Sequence, residues 1–307
     1  MKGQVIKSTG SWYEVKNEEG RIFRSRLRGK FKLDGIKINN PIAVGDWVVI
    51  EEEEKGDKSA VIKEIIPRTN YVIRKSTRKT GFSHILAANV DQALLLATVT
   101  FPKTSLGFID RFLVSAESFR IPALVVFNKK DLLNDQGIEF CHELINMYEQ
   151  IGYKGHLISV LEDEGIESLK LLLKDKTTLI AGHSGVGKST LLNVLAPHQT
   201  QKTGEVSSYA NKGTHTTTFA EMFEMDESTK LIDTPGIKEL GLVDMEASEI
   251  SHYFPEMRAF LGECKFNNCL HTNEPGCKVL DAFEAGEIES SRYHSYLSIL
   301  EDYDNRR

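Results

Sequence analysis

The 307-residue sequence is poor in cysteine, proline and aromatic residues, with 4 Cys, 8 Pro and 8% aromatic side chains. So few cysteines exclude a disulfide scaffold, and 40% hydrophobic with 27% charged residues excludes collagen, mucin-like stalks and wholesale disorder. The longest apolar runs, such as residues 93–99 and 123–127, fall far short of the roughly 20 residues that span a bilayer. The first residues also lack the apolar stretch of a secretory signal. We therefore expect a globular, cytoplasmic protein without a membrane partner.

Charge is unevenly spread along the chain. Residues 1–80 carry 18 Lys and Arg against 11 Asp and Glu, whereas residues 81–307 carry 20 against 33. A basic segment on an acidic protein indicates a module that meets a polyanion, although the solvated face of a strand can have the same composition. The expected RNA-binding residues are Arg24, Arg26, Arg28 and Lys30. The aromatic residues available to stack on bases are Trp12, Tyr13 and Trp47, of which Trp47 lies in an apolar run typical of a core.

Hydropathy patterning predicts three domains and a linker. Residues 1–67 form about five short alternating runs, which favour an OB-like β-barrel and leave an SH3-like barrel as the alternative. Residues 68–80 are polar, basic and without periodicity, and they predict a linker. Residues 81–243 alternate strands with helices, which predicts an α/β domain built on a parallel sheet. Residues 244–307 combine helical patterns with a Cys/His cluster and predict a mainly α domain.

A phosphate-binding loop follows the strand-like residues 178–181 and precedes a helical pattern. Its glycines let backbone N–H groups close around a β-phosphate, and the N-terminus of the helix adds positive potential. Lys188 is expected to reach the β- and γ-phosphate oxygens, as a catalytic residue, and Ser189 to bind Mg²⁺. The expected nucleotide-binding residues of this loop are Gly182, His183, Ser184, Gly185, Val186, Gly187, Lys188, Ser189 and Thr190.

Two segments further along complete the expected phosphate site. The motif D-T-P-G follows a short apolar strand, so Asp233 is suited to hold Mg²⁺ through water and the Gly236 amide to sense the γ-phosphate. Between this motif and the phosphate loop lies G-T-H-T-T-T, a switch candidate in a stretch without periodicity. Thr216 and Thr217 are equal alternatives there as a Mg²⁺ ligand.

The motif N-K-K-D follows the apolar run 123–127 and resembles the guanine-specificity motif of GTPases. In that motif Asp131 would accept hydrogen bonds from guanine, Asn128 would tie loops together, and the stem of Lys129 would cover the base. The motif precedes the phosphate loop by 54 residues, which reverses the usual order. A circularly permuted P-loop GTPase domain is therefore predicted, in which the second switch leads into the C-terminal domain.

The C-terminal cluster has the spacing C-x4-C-x-H-x5-C. Its four residues, Cys264, Cys269, His271 and Cys277, offer three thiolates and one imidazole. This ligand set suits a closed tetrahedral Zn²⁺ site with no position for water, so one structural zinc ion is expected.

These motifs in this order, with the N-terminal barrel, resemble the RsgA family, also called YjeQ or YloQ. The resemblance covers nearly the whole chain, including residues 88–92 and 109–113. It implies a multidomain fold with an OB-like barrel, a circularly permuted GTPase domain and a zinc-binding helical domain. It also implies GTP/GDP and Mg²⁺ as ligands, the 30S subunit and its 16S rRNA as partners, and GTP hydrolysis stimulated by that subunit late in its assembly. A monomer suits such a factor.

The sequence departs from the family pattern at three points. Ser159 is carried over as a nucleotide-binding residue, although S-V-L stands where the family pattern reads Ser-Ala-X. Gly185 stands where potassium-dependent relatives carry Asn, so the sequence does not predict whether K⁺ activates the enzyme. Ile237 follows Gly236 where Ras-like enzymes place a water-orienting Gln.

Because isoleucine cannot orient the attacking water, a second catalytic group is needed. His215, next to the threonines of the switch candidate, is the hypothesis, with an exposed loop histidine as the alternative interpretation. His183 lies inside the phosphate loop, and its interpretation is a residue that packs over the nucleotide. Rival functions are an ATP-dependent phosphotransferase, a zinc-stabilised RNA-binding scaffold, and a GTPase acting on tRNA or the large subunit.

Overall fold

The computed structural model describes residues 1–27, 40–53, 58–75, 83–200, 220–234 and 245–304. Several predicted site residues lie outside these ranges, together with Ile237: Arg28, Lys30, His215, Thr216, Thr217 and Gly236.

The first domain is a barrel of five strands. Its order β1-β2-β3-β5-β4 closes on itself because β1 also pairs with β4. Alternating side chains, among them Val5, Val15 and Phe23, point inward and form its core. The predicted five-stranded OB-like barrel is therefore confirmed. Its strands are β1 (Lys2–Ser8), β2 (Tyr13–Asn17), β3 (Ile22–Leu27), β4 (Trp47–Glu52) and β5 (Ser59–Ile65).

The segment that we expected to be a linker is partly a strand. β6 (Tyr71–Lys75) pairs antiparallel with β7 (Ser83–Ala88) in a separate two-stranded sheet. Val72 is buried in the core of the α/β domain, so the apolar run Y-V-I outweighs the basic residues around it. Arg68 is also fixed, because its guanidinium makes two 2.6 Å hydrogen bonds to the carboxylate of Asp46, which is fully buried in the barrel.

The second domain contains six strands in the order β10-β9-β8-β11-β13-β12, all parallel except β12. Every residue of β8 is buried, as expected for a central strand covered on both faces. The carboxyl ends of the five parallel strands therefore meet at one edge of the sheet. The strands are β8 (Gln92–Ala97), β9 (Ala123–Phe127), β10 (Lys154–Leu157), β11 (Thr177–Ala181), β12 (Glu221–Glu224) and β13 (Lys230–Asp233).

Helices cover both faces of this sheet. The apolar sides of α1 and α2 pack on one face, and those of α3 and α4 pack on the other. Ser105 and Asn134 cap the first two helices, each accepting a hydrogen bond from a backbone N–H of the first turn. The helices are α1 (Leu106–Ser118), α2 (Asp135–Gln150), α3 (Ile166–Leu173), α4 (Lys188–Leu195) and α5 (Pro197–Thr200).

The third domain is helical, as predicted. Its core contains Phe254, Met257, Val279 and Tyr296, and its last helix packs against α1. It comprises a 3-10 helix (Ala247–Tyr253), α6 (Pro255–Arg258), α7 (Lys278–Glu284) and α8 (Ser290–Asp304). Across the described residues, none of the helices has both the length and the apolar character needed to cross a membrane.

A buried ion-pair network joins the helical domain to the α/β domain. Arg292 on α8 is fully buried and donates to Asp110 on α1 and to Glu256 on α6, each at 2.7 Å. Asp110 also accepts hydrogen bonds from Tyr148 on α2, at 3.0 Å, and from Ser295 on α8, at 2.5 Å. Because every charged group here has a partner, removing one of them would leave another buried charge uncompensated.

Arg292→Met should lower the free energy of unfolding by about 3–5 kcal/mol, because Asp110 and Glu256 would remain buried without their cation. Arg258→Met is the control, since Arg258 is half exposed and its pair with Glu117 should contribute at most about 1 kcal/mol. Urea denaturation followed by circular dichroism measures both variants. Equal shifts of the first unfolding transition in the two variants would contradict this prediction.

Candidate functional site

The phosphate loop lies at the carboxyl edge of the sheet, between the end of β11 and the start of α4. Gly182 and Gly187 have φ angles of +147° and +102°. A Cβ on Gly182 would lie 2.4 Å from the Leu96 carbonyl oxygen, and one on Gly187 would lie 2.4 Å from Asn128 Nδ2. Both positions therefore need glycine, because the loop passes directly over β8 and against the N-K-K-D motif.

Lys188 and Asp233 meet beside this loop. Lys188 Nζ donates to the carbonyl oxygens of Gly182, at 2.5 Å, and His183, at 2.8 Å. Asp233 stands next to it because β11 and β13 pair with Ile180 opposite Asp233. Burial lowers the pKa of Lys188, and it raises the pKa of Asp233 to about 6 although Lys188 opposes that shift.

Two buried oxygen atoms at this point lack hydrogen-bond partners within the described part of the chain: Asp233 Oδ1 and Thr234 Oγ1. Buried polar atoms are normally satisfied, so this pair indicates a ligand that the protein holds here. Carboxylate and hydroxyl oxygens beside a phosphate loop are suited to Mg²⁺ and its water shell. The donor set therefore fits the expected Mg²⁺–nucleotide complex.

Asn128 connects the two halves of the expected nucleotide site. Its Nδ2 donates to the Val186 carbonyl oxygen of the phosphate loop at 2.8 Å, and its Oδ1 accepts from the Val160 N–H at 3.1 Å. The side chain is nearly fully buried. The amide thus ties the loop after β9 both to the phosphate loop and to the loop after β10.

The other residues of the motif lie at the same edge. Ser159 Oγ donates to Asp131 Oδ1 at 2.5 Å, so the serine expected at the nucleotide is beside the aspartate expected to read guanine. Lys129 adopts a left-handed backbone, with φ of +69°, and its Nζ donates to the Phe101 carbonyl oxygen at 2.7 Å. The structure therefore brings the N-K-K-D and S-V-L segments together with the phosphate loop.

Sequence reasoning missed the loop before α1. In this loop, the Phe101 carbonyl oxygen accepts the hydrogen bond of Lys129. The neighbouring Pro102 would be the nearest neighbour of a Cβ on Gly185, at 3.5 Å. The Phe108 ring of α1 lies 3.8 Å from the His183 ring, so His183 packs on that helix. No local motif marks these residues, because their contacts join segments about 28–83 residues apart in the chain.

The four predicted zinc ligands converge. The ligand atoms of Cys264, Cys269, His271 and Cys277 all lie within 4.8 Å of one another. The sulfur atoms of Cys264 and Cys277 are 3.9 Å apart, and His271 Nδ1 lies 3.3 Å from the Cys277 sulfur. A tetrahedron with Zn–S bonds of about 2.3 Å and a Zn–N bond of about 2.0 Å has edges near these lengths. A Cys3His cluster that can hold zinc is therefore present.

Side chains outside the cluster hold its backbone. Glu274 accepts hydrogen bonds from the backbone N–H groups of Leu270 and Thr272, and Tyr293 on α8 donates to the His271 carbonyl oxygen at 2.8 Å. Burial alone would raise the pKa of Glu274, but these N–H donors lower it to about 2. Glu274 was also missed in the sequence, where it looks like an ordinary turn residue.

The barrel presents part of the predicted RNA-binding set. The Arg24 guanidinium lies over the Trp12 ring, 4.5 Å from its centroid, and Arg26 pairs with Glu53 at 2.7 Å. Tyr13 is buried in the barrel core, so its expected availability for base stacking is wrong. Trp47 is half-buried, with the Lys2 and Lys230 ammonium groups 4.6 and 5.7 Å from its ring centroid.

Known proteins resemble the chain over its full length. The profile of the RsgA GTPase family matches residues 65–243, and that of the RsgA N-terminal domain matches residues 2–62. The chain is 52% identical over its whole length to the small ribosomal subunit biogenesis GTPase RsgA of Cytophaga hutchinsonii, and all of that relative is covered. It is 51% identical to RsgA 2 of Bacteroides thetaiotaomicron, over 98% of this chain and 97% of the relative.

Two crystal structures resemble the fold. YjeQ from Thermotoga maritima superposes with a TM-score of 0.78 at 36% identity, with 100% of this chain and 99% of that chain covered. YloQ, described as a circularly permuted GTPase, gives a TM-score of 0.74 at 31% identity, with 100% and 96% covered.

A phosphate loop and a guanine motif that share one edge of a parallel sheet, in reversed chain order, define a circularly permuted P-loop GTPase. The rival phosphotransferase interpretation is therefore wrong. The chain belongs to the RsgA GTPase family, and it is a GTP-hydrolysing enzyme that uses a guanine nucleotide with Mg²⁺.

Asn128→Ala should destabilise the protein and weaken GDP binding, because the Val186 carbonyl and the Val160 N–H would each lose a buried partner. Each unpaired group should cost about 1–3 kcal/mol. Titration with fluorescent GDP and urea denaturation measure the two effects. Lys130→Ala is the neighbouring control, since it removes only a partly exposed pair with Glu164. An Asn128→Ala protein that bound GDP as tightly as the wild type would refute the bridging role.

Proposed function

We propose that this GTPase acts on the small ribosomal subunit in the cytoplasm. It binds the 30S subunit through 16S rRNA late in assembly, hydrolyses GTP to GDP and phosphate when the subunit stimulates it, and then leaves. The observation that carries this proposal is the identity of about half of all residues, over the whole chain, with relatives that are named for biogenesis of this subunit. The protein works as a monomer, with domains at residues 1–67, 81–243 and 244–307.

Residues of three segments at the edge of the sheet hold the nucleotide. Gly182 to Thr190 surround the phosphates, with Lys188 on the β- and γ-phosphate oxygens. Asp131 and Ser159 read the guanine, and the stem of Lys129 covers it. The 2.5 Å contact of Ser159 with Asp131 supports this assignment, because it orients the carboxylate that faces the base.

Ser189 and one of Thr216 and Thr217 would hold Mg²⁺, with Asp233 acting through water and the Gly236 amide at the γ-phosphate. The unpartnered Asp233 Oδ1 supports this assignment. When bound, the ion would neutralise the negative charge that develops on the phosphates during hydrolysis.

Water must be oriented by a residue other than Ile237, whose side chain has no hydrogen-bonding atom. We assign this task to His215, which acts when the bound subunit positions its imidazole against the attacking water. His183 is not needed for the chemistry, since its ring packs on Phe108. The free enzyme should therefore hydrolyse GTP slowly, and its rate should depend strongly on the 30S subunit.

The remaining assignments concern zinc and RNA. One Zn²⁺ on Cys264, Cys269, His271 and Cys277 has a structural role, because the ligand set leaves no position for water. Arg24, Arg26, Arg28 and Lys30 contact rRNA phosphates. The stacking of Arg24 on Trp12 supports a surface that combines cations with an aromatic ring.

Purified protein should hydrolyse GTP slowly on its own. Hydrolysis should be much faster with 30S subunits, because the bound subunit positions His215 against the attacking water. Phosphate release measures the rate, with 50S subunits and ATP as controls. His215→Ala should lose the stimulated rate by about 10²–10⁴-fold, the range for a positioned acid–base group. His183→Ala is the matched control and should keep most of it.

Equal stimulation by 50S subunits would redirect the proposal to another ribosomal target. A stimulated rate that survived in His215→Ala but failed in His183→Ala would overturn the assignment of the catalytic histidine.

Zinc content tests the metal assignment. Protein purified without added metal should carry about one Zn²⁺ per chain, as one closed four-ligand site requires. Cys277→Ser should lose it, whereas Cys141→Ser should retain it, because Cys141 lies buried within α2 and away from the cluster. Mass spectrometry of the metal after inductively coupled plasma ionisation gives the stoichiometry. A zinc-free wild-type protein that remained folded would contradict a structural metal.

A further inference from the structure

The barrel meets the α/β domain at the β12–β13 hairpin and also at Val44, which pairs with Ala87. Lys7 Nζ pairs with Glu221 Oε1 at 2.8 Å, and Lys16 Nζ pairs with Glu224 Oε2 at 2.5 Å. Lys7 and Glu221 are also register partners where β1 pairs with β12. Two lysines of the barrel are thus neutralised by two glutamates of one short strand.

These two pairs are exposed to solvent. The side chains of all four residues have 21–32% of their surface exposed, whereas Arg292 and Asp110 in the other domain junction are fully buried. Water and salt screen exposed ion pairs, so they hold their partners only weakly. Breaking the two pairs would therefore strand none of these four charges, although separation of the hairpin must also break the hydrogen bond of Lys230 Nζ to Gln4 Oε1.

Lys7 and Lys16 stand on the same face of the barrel as Arg24. Across the strands, Lys7 lies opposite Glu14, and Glu14 lies opposite Arg24, while Val15 next to Glu14 points into the core. Lys16 is two residues from Glu14 and so shares its face. This outward face of β1, β2 and β3 carries three cations and Glu14 together with the Trp12 ring, and cations beside an aromatic ring are the chemistry that binds single-stranded RNA.

The glutamates occupy the positions that RNA phosphates would take. A carboxylate at 2.5–2.8 Å from an ammonium group uses the same donors that a phosphate oxygen needs. The hairpin lies between the two segments that carry the predicted switch residues, since β12 begins at Glu221 and β13 ends at Asp233.

We propose that Glu221 and Glu224 mask Lys7 and Lys16 from RNA phosphates, so that separation of the hairpin from the barrel adds two phosphate contacts to the RNA-binding face. This inference rests on the proposed binding of RNA by the barrel. In this role the two carboxylates of the hairpin compete with RNA phosphates for the same two lysines.

The test is the salt dependence of RNA affinity for the full-length wild type and for E221Q/E224Q. Fluorescence anisotropy with labelled oligouridylate gives the affinity over a series of KCl concentrations. The variant should bind more tightly at low salt. Its slope of log affinity against log salt should be more negative by about 1.4, because each of two further phosphates on a single strand contributes about 0.7.

Two sets of variants separate masking from a change in net charge. E143Q/E149Q removes two exposed carboxylates on α2 and should keep the wild-type slope. Adding K7Q/K16Q to E221Q/E224Q should cancel the gain, because the lysines are then absent.

Wild-type RNA binding with an unchanged slope in E221Q/E224Q would overturn the masking while leaving RNA binding by the barrel intact. A gain of the same size in E143Q/E149Q would overturn it too. Absence of RNA binding by both the wild type and E221Q/E224Q would overturn the RNA-binding role of the barrel together with the masking.

Discussion

The side-chain amide of Asn128 is the contact on which the nucleotide site depends. It joins two loops that are far apart in the chain, and one of its hydrogen bonds ends on the Val186 carbonyl of the phosphate loop. Position 187 requires glycine, because a Cβ there would collide with this amide. The reversed order of the motifs therefore has little consequence for the site. Parallel strands bring their carboxyl ends to one edge whatever their order along the chain, and one buried amide then fixes the loops relative to each other.

The barrel and the helical domain are attached to the central α/β domain by different kinds of contact. Arg292 is buried between Asp110 and Glu256, so the helical domain cannot separate without exposing or stranding charges. The barrel is held by the partly exposed pairs of Lys7 and Lys16, by the hydrogen bond of Lys230 to Gln4, and by Val44, which is buried in the core of the α/β domain. Helix α1 carries both Asp110 and Phe108, whose ring packs on His183. The phosphate loop and the helical domain thus both contact helix α1.

Local patterns predicted the features that depend on neighbours in sequence. The strands and helices of the α/β domain, the phosphate loop and the zinc ligands follow from periodicity and spacing. The strand β6 was missed because its three apolar residues are surrounded by cations. Arg292 gave no signal either, since an arginine in a polar helix is normally exposed, and its partner Asp110 lies 182 residues earlier. Sequence reasoning fails where a long-range partner decides the environment of a charged residue.

The strands β12 and β13 carry residues of the nucleotide site and also residues that contact the barrel. Glu221, which holds Lys7, is the register partner of Asp233, which stands beside Lys188 at the phosphate loop. Burial is the main reason for the raised pKa of Asp233, but Glu221 adds to it and Lys188 opposes it. The carboxylates of the two sites therefore interact across a single ladder position. Because the hairpin has only four residues in each strand, it has little length over which to absorb a displacement at one end. A displacement of Asp233 would therefore bear on Glu221 and on its pair with Lys7.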